Sequence, residues 1–410
     1  MPNPDWYEKR PDTTIMPAMH ESVVQLGLEV LLQQDCRSLW GSRVGLLVHP
    51  ASVDSRLRHT VELLSQHPRV DLRALFGPQH GIRGETQDNM IEWTGFQDPT
   101  LHVPVFSLYG ETRVPTVEML NLIDTLVVDL QDVGSRYYTF VWTLALAMEA
   151  CGRQGVRVMV LDRPNPLNGV TLEGPVLDTA FRSFVGLYAV PVRHGLTIGE
   201  AAVLLRDHFG VRCELEVVAM RGWQREFYWE DTGLPWVAPS PNIPRPTTAL
   251  VYPGACLFEA TNVSEGRGTT QPFEFTGAPW AEPEPFARRL SEYALPGVIF
   301  RPLFFQPTFH KWCGLTIGGV QTHVTDRRAF RPWKTGLALL EAYLRTPSGR
   351  FQWNPPPYEY EYEKMPIDIL AGTDRVRLHL DSGRPVSELF ERWDDDLELF
   401  ARQRKPYLLY

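Results

Sequence analysis

Short apolar runs recur through the first half of the chain, and each ends in polar or charged residues. The clearest run is 126–130, where four apolar residues surround Asp129. Continuous apolar runs of this length are typical of strands buried on both faces of a parallel sheet. Segments with helical spacing separate the runs, at 22–33, 58–66 and 138–151. Strands alternating with helices predict a Rossmann-like, doubly wound and mostly parallel α/β sheet.

Functional side chains follow three of the predicted strands, at 70–77, 126–130 and 157–161. Ligands of open α/β sheets bind at the carboxyl ends of the strands, so we expect these side chains to meet in one site. Helix capping and internal ion pairing are the alternative roles for the acids and arginines among them. The set comprises Gln79, His80, Arg83, Asp129, Asp132, Arg136, Tyr137, Asp162, Arg163 and Asn165.

A tryptophan- and proline-rich stretch at 222–246 fits no regular element and indicates a domain junction near its end. Shorter predicted strands at 298–305 and 315–323 and a helix at 335–344 follow it. We therefore predict an N-terminal arm (1–20), a Rossmann-like domain (21–246) and a smaller α+β domain (247–410), with a cleft between the two domains. Residues 358–410 carry no pattern that indicates chemistry.

Two further segments contain polar residues suited to a cleft. His194 lies just before a predicted helix, and Thr197 and Glu200 at the start of that helix form a capping-box pattern, which gives Glu200 a structural role. In the predicted smaller domain, Glu265 stands between a serine and a glycine and is the carboxylate we expect in the cleft.

Composition restricts the partners. The 410 residues carry a net charge of -9 without a basic stripe, which argues against nucleic acid and anionic membranes and favours a small or carbohydrate-like molecule as the partner. Five cysteines without a CxxC pair predict neither disulfides nor a zinc site. The start lacks the apolar core of a signal peptide, and no run reaches the roughly 20 apolar residues of a membrane span, so we expect a cytoplasmic protein.

Six ordered segments together resemble the NamZ-type exo-β-N-acetylmuramidase family. The resemblance implies a glycoside hydrolase that removes N-acetylmuramic acid from the non-reducing end of peptidoglycan fragments. It also implies a Rossmann-like domain beside a smaller one, without a nucleotide cofactor, and the chain indeed has no GxGxxG motif. We expect no metal. The segments are 76–84, 129–139, 161–166, 191–197, 240–244 and 261–270.

Glycoside cleavage normally needs two carboxyl groups, one to protonate the leaving oxygen and one to activate water or attack the sugar. We assign these roles to Glu265 and to Asp132 or Asp129, with His80 as an auxiliary proton carrier. Arginines would bind the lactyl carboxylate of muramic acid, and amides and hydroxyls its other groups. The expected substrate-binding residues are Gln79, Arg83, Arg136, Tyr137, Asp162, Arg163, Asn165, His194, Asn242, Asn262 and Arg267.

Gln79 departs from the family, which usually has Glu at this position. A glutamine can hydrogen-bond a sugar but cannot donate a proton to a leaving oxygen. Glu85, Glu92 or Glu265 could supply the missing acid. The alternatives are a catalytically reduced sugar- or muropeptide-binding protein, and a metal-dependent hydrolase whose oxygen and nitrogen ligands would suit a divalent cation. The ligands of that metal would be His80, Asp129, Asp132, Asp162 and His194.

Overall fold

The computed structural model describes residues 24–87 and 90–410. The predicted N-terminal arm and the beginning of the first predicted helix lie outside these residues. Within these residues, nine strands and five α-helices form the regular elements of the first half of the chain. The strands are β1 (Arg43–Val48), β2 (Asp71–Gly77), β3 (Phe96–Gln97), β4 (Pro104–Ser107), β5 (Thr125–Asp129), β6 (Arg157–Leu161), β7 (Glu173–Val176), β8 (Pro191–Arg193) and β9 (Leu215–Val218). The helices are α1 (Gly27–Gln33), α2 (Thr60–Ser65), α3 (Val117–Leu120), α4 (Phe140–Gln154) and α5 (Ile198–Asp207).

Seven of these strands form one sheet in the order β3-β4-β2-β1-β5-β6-β9. All neighbours pair in parallel except β3, which runs antiparallel to β4. The chain builds outward from β1 to β4 on one side and then crosses to β5 and builds outward on the other side. The order therefore reverses between β1 and β5, which is the place where doubly wound sheets bind their ligands.

The central strand β5 is buried along its whole length. Leu126 and Val128 pack in the larger apolar core, whereas Val127 packs in a second core with residues of α1 and β1. Because side chains alternate across a strand, both faces of the sheet are covered. The next helix, α4, is capped by Gly155, which adopts the left-handed conformation (φ 68°) that favours glycine just after a helix.

The second half contains a three-stranded antiparallel sheet in the order β10-β12-β11, with helices around it. The predicted fold class, a Rossmann-like sheet with a second and smaller α+β unit, is confirmed. The strands are β10 (Phe275–Ala278), β11 (Val298–Phe305) and β12 (Ile317–Val324). The helices are α6 (Pro246–Ala255), α7 (Pro283–Ser291), α8 (Pro332–Leu344), α9 (Pro366–Ala371), α10 (Arg375–Asp381) and α11 (Asp394–Arg404).

No helix within the two described ranges combines the length and the apolar character needed to cross a bilayer.

A buried ion pair joins the ends of β5 and β6. The Nη2 atom of Arg163 donates to Oδ2 of Asp129 at 2.9 Å, its Nε donates to Oδ1, and the Thr60 hydroxyl also donates to this carboxylate. Both charged side chains are almost fully buried. In such a setting each charge depends on its partner, because an unpaired buried charge has lost its hydration without compensation.

Replacing Arg163 by methionine should therefore cost about 3–5 kcal/mol of unfolding free energy. Urea unfolding followed by circular dichroism would measure this loss. The matched control is Arg384→Met, which removes a solvent-exposed ion pair with Glu388 and should cost about 0.3–0.5 kcal/mol. Equal losses in the two variants would contradict the structural role given to the Asp129–Arg163 pair.

Candidate active site

One cavity opens at the carboxyl edge of the large sheet, close to the point where the strand order reverses. Residues following β2 and β5 form one wall, and residues of the second half of the chain form the other. We call it the strand-end cavity. Its lining comprises Gln79, His80, Tyr137, Tyr138, Thr139, Phe140, Val185, Ser240, Asn242, Ile243, Tyr252, Glu259, Arg267, Phe273, Tyr358 and Glu359.

Glu359 reaches the cavity from the tip of a tight turn. The backbone N–H groups of Tyr358 and Glu361 each donate to the carbonyl of the other at 2.9 Å. Between them, Glu359 (φ 44°) and Tyr360 (φ 66°) both have positive φ, the pattern of a type I′ turn that normally carries Asn-Gly. Holding two bulky residues in this region costs free energy, and such strain is concentrated at functional sites.

The carboxyl group of Glu359 is buried among uncharged donors. Tyr109 Oη donates to its Oε2 at 2.8 Å, and Gln79 Nε2 donates to its Oε1 at 3.3 Å. Burial raises the pKa of Glu359 to about 7, with help from the negative charge of Glu259, although the Tyr109 and Gln79 hydrogen bonds act in the opposite direction. A carboxyl group with this pKa is divided between its acid and base forms at neutral pH.

Gln79 is held by three hydrogen bonds. Thr139 Oγ1 donates to its Oε1 at 2.7 Å, and its Nε2 donates to Tyr109 Oη at 3.1 Å and to Glu359. The neighbouring His80 adopts a left-handed conformation (φ 71°), and its Nδ1 lies 3.0 Å from the Thr86 carbonyl. The predicted Gln79–His80 segment thus lies in the cavity, where Gln79 orients the carboxyl group of Glu359.

Glu259 supplies a second carboxylate to the cavity wall. Its Oε1 accepts a hydrogen bond from Arg267 Nη1 at 2.8 Å, and its Oε2 accepts one from Tyr358 Oη at 2.6 Å. The two glutamates of the cavity therefore differ in environment. Glu259 is paired with a cation, whereas the side chains that donate to Glu359 in the described part of the chain, Tyr109 and Gln79, are neutral.

Glu265, expected to be the carboxylate in the cleft, does not line the cavity. It is fully buried, with Lys311 Nζ at 2.8 Å, Arg267 Nη1 at 3.1 Å and His310 Nδ1 at 3.2 Å. Burial alone would raise its pKa, but these three partners hold the pKa of Glu265 well below its ordinary value. Its geometry suits an anchor for cations better than proton transfer.

Asp129 and Asp132 also lie outside the lining of the cavity. Asp129 is the partner of Arg163 described above. Asp132 Oδ2 accepts a hydrogen bond from the backbone N–H of Gly134 at 2.7 Å and lies 3.3 Å from His194 Nε2. Both acids therefore bind other protein groups and do not face the cavity.

Three of the four arginines expected among the substrate-binding residues are also positioned elsewhere, and one of them is Arg163, the partner of Asp129. Arg83 is exposed and stacks over the Phe96 ring at 4.4 Å. Arg136 is buried and donates to three backbone carbonyls at 2.7–3.0 Å, and burial lowers its pKa to about 10. Arg267 does line the cavity, where it pairs with Glu259 and Glu265.

Of the remaining predicted binding residues, some line the cavity and others bind protein groups outside it. Tyr137 and Asn242 line the cavity. Asn165 and Asn262 use their amides to bind backbone groups. Asp162 accepts hydrogen bonds at the start of α5 from Gly199 N at 2.7 Å and Thr197 Oγ1 at 2.8 Å. The predicted capping box of α5 is present, so Glu200 is structural as expected.

The five residues of the metal hypothesis do not form one cluster. Across residues 24–87 and 90–410, no group of three or more His, Cys, Asp or Glu side chains is arranged to hold a metal ion. Asp129, Asp132 and Asp162 instead have the protein partners given above.

Sequence reasoning missed both acids of the cavity. Glu259 stands in the segment where we favoured Glu265, and helical or strand periodicity does not distinguish the two. Glu359 lies in a run of alternating tyrosines and glutamates, 358–363, from which no pattern selects one acid. Glu359 is distinguished by the positive φ values at the turn and by the burial that raises its pKa, and neither feature is visible in the sequence.

The fold and the site define a two-domain α/β protein whose strand-end cavity is lined by a carboxyl group with a raised pKa, Glu359, and by an ion-paired carboxylate, Glu259. Family models described as exo-beta-N-acetylmuramidase NamZ, N-terminal and C-terminal, match residues 44–247 and 250–410. The chain belongs to the NamZ family, as its motifs predicted.

Comparisons with individual proteins support the same family assignment. The chain is 43% identical over 387 residues to the peptidoglycan beta-N-acetylmuramidase NamZ of Bacillus subtilis (strain 168), covering 94% of this chain and 91% of that protein. Two crystal structures of DUF1343 family proteins from Bacteroides fragilis NCTC 9343 are similar. The first has a TM-score of 0.86 at 34% identity, over 96% of this chain and 100% of the other. The second has a TM-score of 0.74 at 29% identity, over 94% and 99%.

Replacing Tyr109 by phenylalanine should raise the pKa of Glu359, because Tyr109 donates a hydrogen bond that favours the charged form. One hydrogen bond contributes roughly 0.5–1.5 kcal/mol, which corresponds to a rise of about 0.5–1 unit. A ¹³C NMR titration of the glutamate carboxyls, assigned with Glu359→Gln, would measure it. In the control Tyr343→Phe, whose hydroxyl contacts Thr276 outside the cavity, the pKa should not move. An unchanged or lower pKa in the Tyr109 variant would contradict the assigned hydrogen bond.

Proposed function

We propose that this protein is an exo-acting glycoside hydrolase that releases N-acetylmuramic acid from the non-reducing end of peptidoglycan fragments, with Glu359 as the proton donor. Membership of the NamZ family and the name of the Bacillus subtilis relative support the reaction and the substrate. The observation that carries the catalytic assignment is the buried carboxyl group of Glu359, whose pKa is raised to about 7 in the strand-end cavity.

Glu359 has the properties that a general acid needs. At neutral pH a substantial fraction carries a proton, which can pass to the glycosidic oxygen as the bond to the leaving group breaks. The proton is lost from the acid while negative charge forms in a cavity where Tyr109 Oη and Gln79 Nε2 already donate hydrogen bonds. These two donors stabilise the carboxylate that the reaction produces.

Glu259 serves as the second carboxylate of the mechanism in this proposal. Its ion pair with Arg267 at 2.8 Å places negative charge in the cavity beside Glu359. That charge opposes ionisation of Glu359 and is available to the positive character that develops on the sugar ring. Because their surroundings differ, Glu359 acts as the acid and Glu259 as the charged carboxylate in this proposal.

The alternative of a binding protein without activity depended on the absence of an acid at position 79. Glu359 lies within hydrogen-bond distance of Gln79 Nε2 and can supply the proton that the amide lacks. This proximity favours an active enzyme in which Gln79 positions the acid.

Replacing Glu359 by glutamine should lower kcat on a β-N-acetylmuraminide that carries a poor leaving group by about 10²–10⁴-fold, because proton transfer to the leaving oxygen is lost. Release of N-acetylmuramic acid from a muropeptide fragment would be measured in parallel. The matched control is Glu361→Gln, in the same turn, where the carboxylate pairs with Lys364 outside the cavity. Equal activity of the two variants would remove Glu359 from the proposed role.

Replacing Gln79 by glutamate should move the basic limb of the kcat/KM profile upward by about one pH unit or more, because two carboxyl groups this close share one proton and raise the pKa of the pair. Activity that requires a protonated acid then persists to higher pH. The double variant Q79E/E359Q should remain poorly active at all pH values. Recovery of activity in that double variant would assign the acid to position 79 instead.

A further inference from the structure

Arg113 lies beside the strand-end cavity without being part of its lining. Its guanidinium carbon is 3.6 Å from the ring centroid of Tyr360 and 5.1 Å from that of Tyr109. Tyr360 is the neighbour of Glu359 in the strained turn, and Tyr109 donates the hydrogen bond to Glu359. The ring centroid of Phe184 lies 5.5 Å from the same carbon, so three aromatic rings surround the guanidinium group. The aromatic faces hold the cation in place next to the proton donor.

Two nitrogen atoms of this guanidinium have unused hydrogen-bonding capacity. Nε and Nη2 of Arg113 are buried, and neither has a hydrogen-bond partner in the described part of the chain. Glu92 forms an ion pair with Nη2 at 3.8 Å, a distance too long for a hydrogen bond, and half of its side chain is exposed. Buried donors without partners are costly and require an explanation such as an absent ligand.

The pair formed by Nε and Nη2 is the edge of an arginine that binds a carboxylate side-on through two parallel hydrogen bonds. This protein uses that edge for its own acids elsewhere, with Nε and Nη2 both donating to one carboxylate. The examples are Arg163 with Asp129, Arg245 with Glu274, and Arg377 with Asp368. In the described ranges, the same edge of Arg113 makes no hydrogen bond, and its nearest acid is Glu92 at 3.8 Å from Nη2.

We propose that Arg113 binds the carboxylate of an anionic sugar substrate through Nε and Nη2 and thereby determines specificity. The inference deepens the proposed function and rests on it, because N-acetylmuramic acid differs from N-acetylglucosamine by a lactyl ether with a carboxylate. Arg83 is exposed and Arg136 donates to backbone carbonyls, so within the described residues neither offers a buried free edge beside Glu359 as Arg113 does. The bound carboxylate displaces Glu92 from its weak pairing with Arg113.

Binding of the carboxylate also affects the proton donor. The positive charge of Arg113 lowers the pKa of Glu359 and so favours loss of its proton. A substrate carboxylate on Arg113 neutralises that charge, and Glu359 then retains its proton more readily. Binding of the anionic sugar and protonation of Glu359 are therefore coupled through the guanidinium group of Arg113.

The test compares p-nitrophenyl β-N-acetylmuraminide with its lactyl methyl ester, which cannot accept a charge-assisted pair. The wild-type protein should prefer the acid, and Arg113→Gln should lower this acid-to-ester ratio of kcat/KM by about 10–100-fold, the range for hydrogen bonds to a charged group. Arg113→Lys keeps the charge without the planar fork and should retain an intermediate ratio. The control Arg327→Gln removes an arginine that also lies over a tyrosine, Tyr228 at 4.9 Å, but has acidic partners of its own. It should leave the ratio unchanged.

An acid-to-ester ratio that stays at the wild-type value in Arg113→Gln, or a wild-type protein without any preference, overturns the inference. Calorimetric binding of free N-acetylmuramic acid and of its methyl ester separates this result from the proposed function. If the wild type turns over neither substrate but binds the acid more tightly, with the preference lost in Arg113→Gln, the hydrolase proposal fails and the carboxylate site stands. If Arg113→Gln does not fold, the inference is tested by the acid-to-ester ratio of Arg113→Lys. A ratio equal to that of the wild type in this variant would contradict binding through Nε and Nη2.

Discussion

Burial of the Glu359 carboxyl group between the two halves of the chain is the interaction on which the site depends. Its hydrogen-bond donors, Tyr109 and Gln79, stand 250 and 280 positions earlier in the sequence, at the carboxyl edge of the parallel sheet. Neither half forms the cavity alone, because one half supplies the donors and the other supplies the acid and its strained turn. Folding of both halves and their packing together therefore set the chemistry of this one group.

The acids of the molecule are distinguished by their partners and not by burial alone. Glu265 and Asp129 are as deeply buried as any group in the protein, yet cations surround one and an arginine pairs with the other. A buried carboxylate with such partners is stabilised in its charged form. Glu359 differs because neutral donors replace cations, so desolvation dominates its pKa. The proposed role of Glu359 as the acid rests on this contrast.

The charged groups at the strand ends of the parallel sheet mainly support the site from outside the cavity. Asp129 holds Arg163, and Asp162 caps α5. Arg136 donates hydrogen bonds to three backbone carbonyls, one of them in α9 in the second half of the chain. These contacts fix the segments that follow β5 and β6, and Thr139 of the cavity lies in the first of these segments. A rigid shell of this kind is what holds functional groups in place.

The sequence by itself determined the α/β fold class, the family, and the placement of Gln79, His80, Tyr137, Asn242 and Arg267 near one cavity. Apolar periodicity and ordered local motifs carry that information, because both arise from residues close together in the chain. Tertiary structure alone decided which acids face the cavity, since pairing of Glu265 with Lys311 and exposure of Glu359 to the neutral donors Tyr109 and Gln79 depend on distant segments. The pKa of a carboxyl group reflects its surroundings in three dimensions, and no local pattern in a run of alternating tyrosines and glutamates encodes those surroundings.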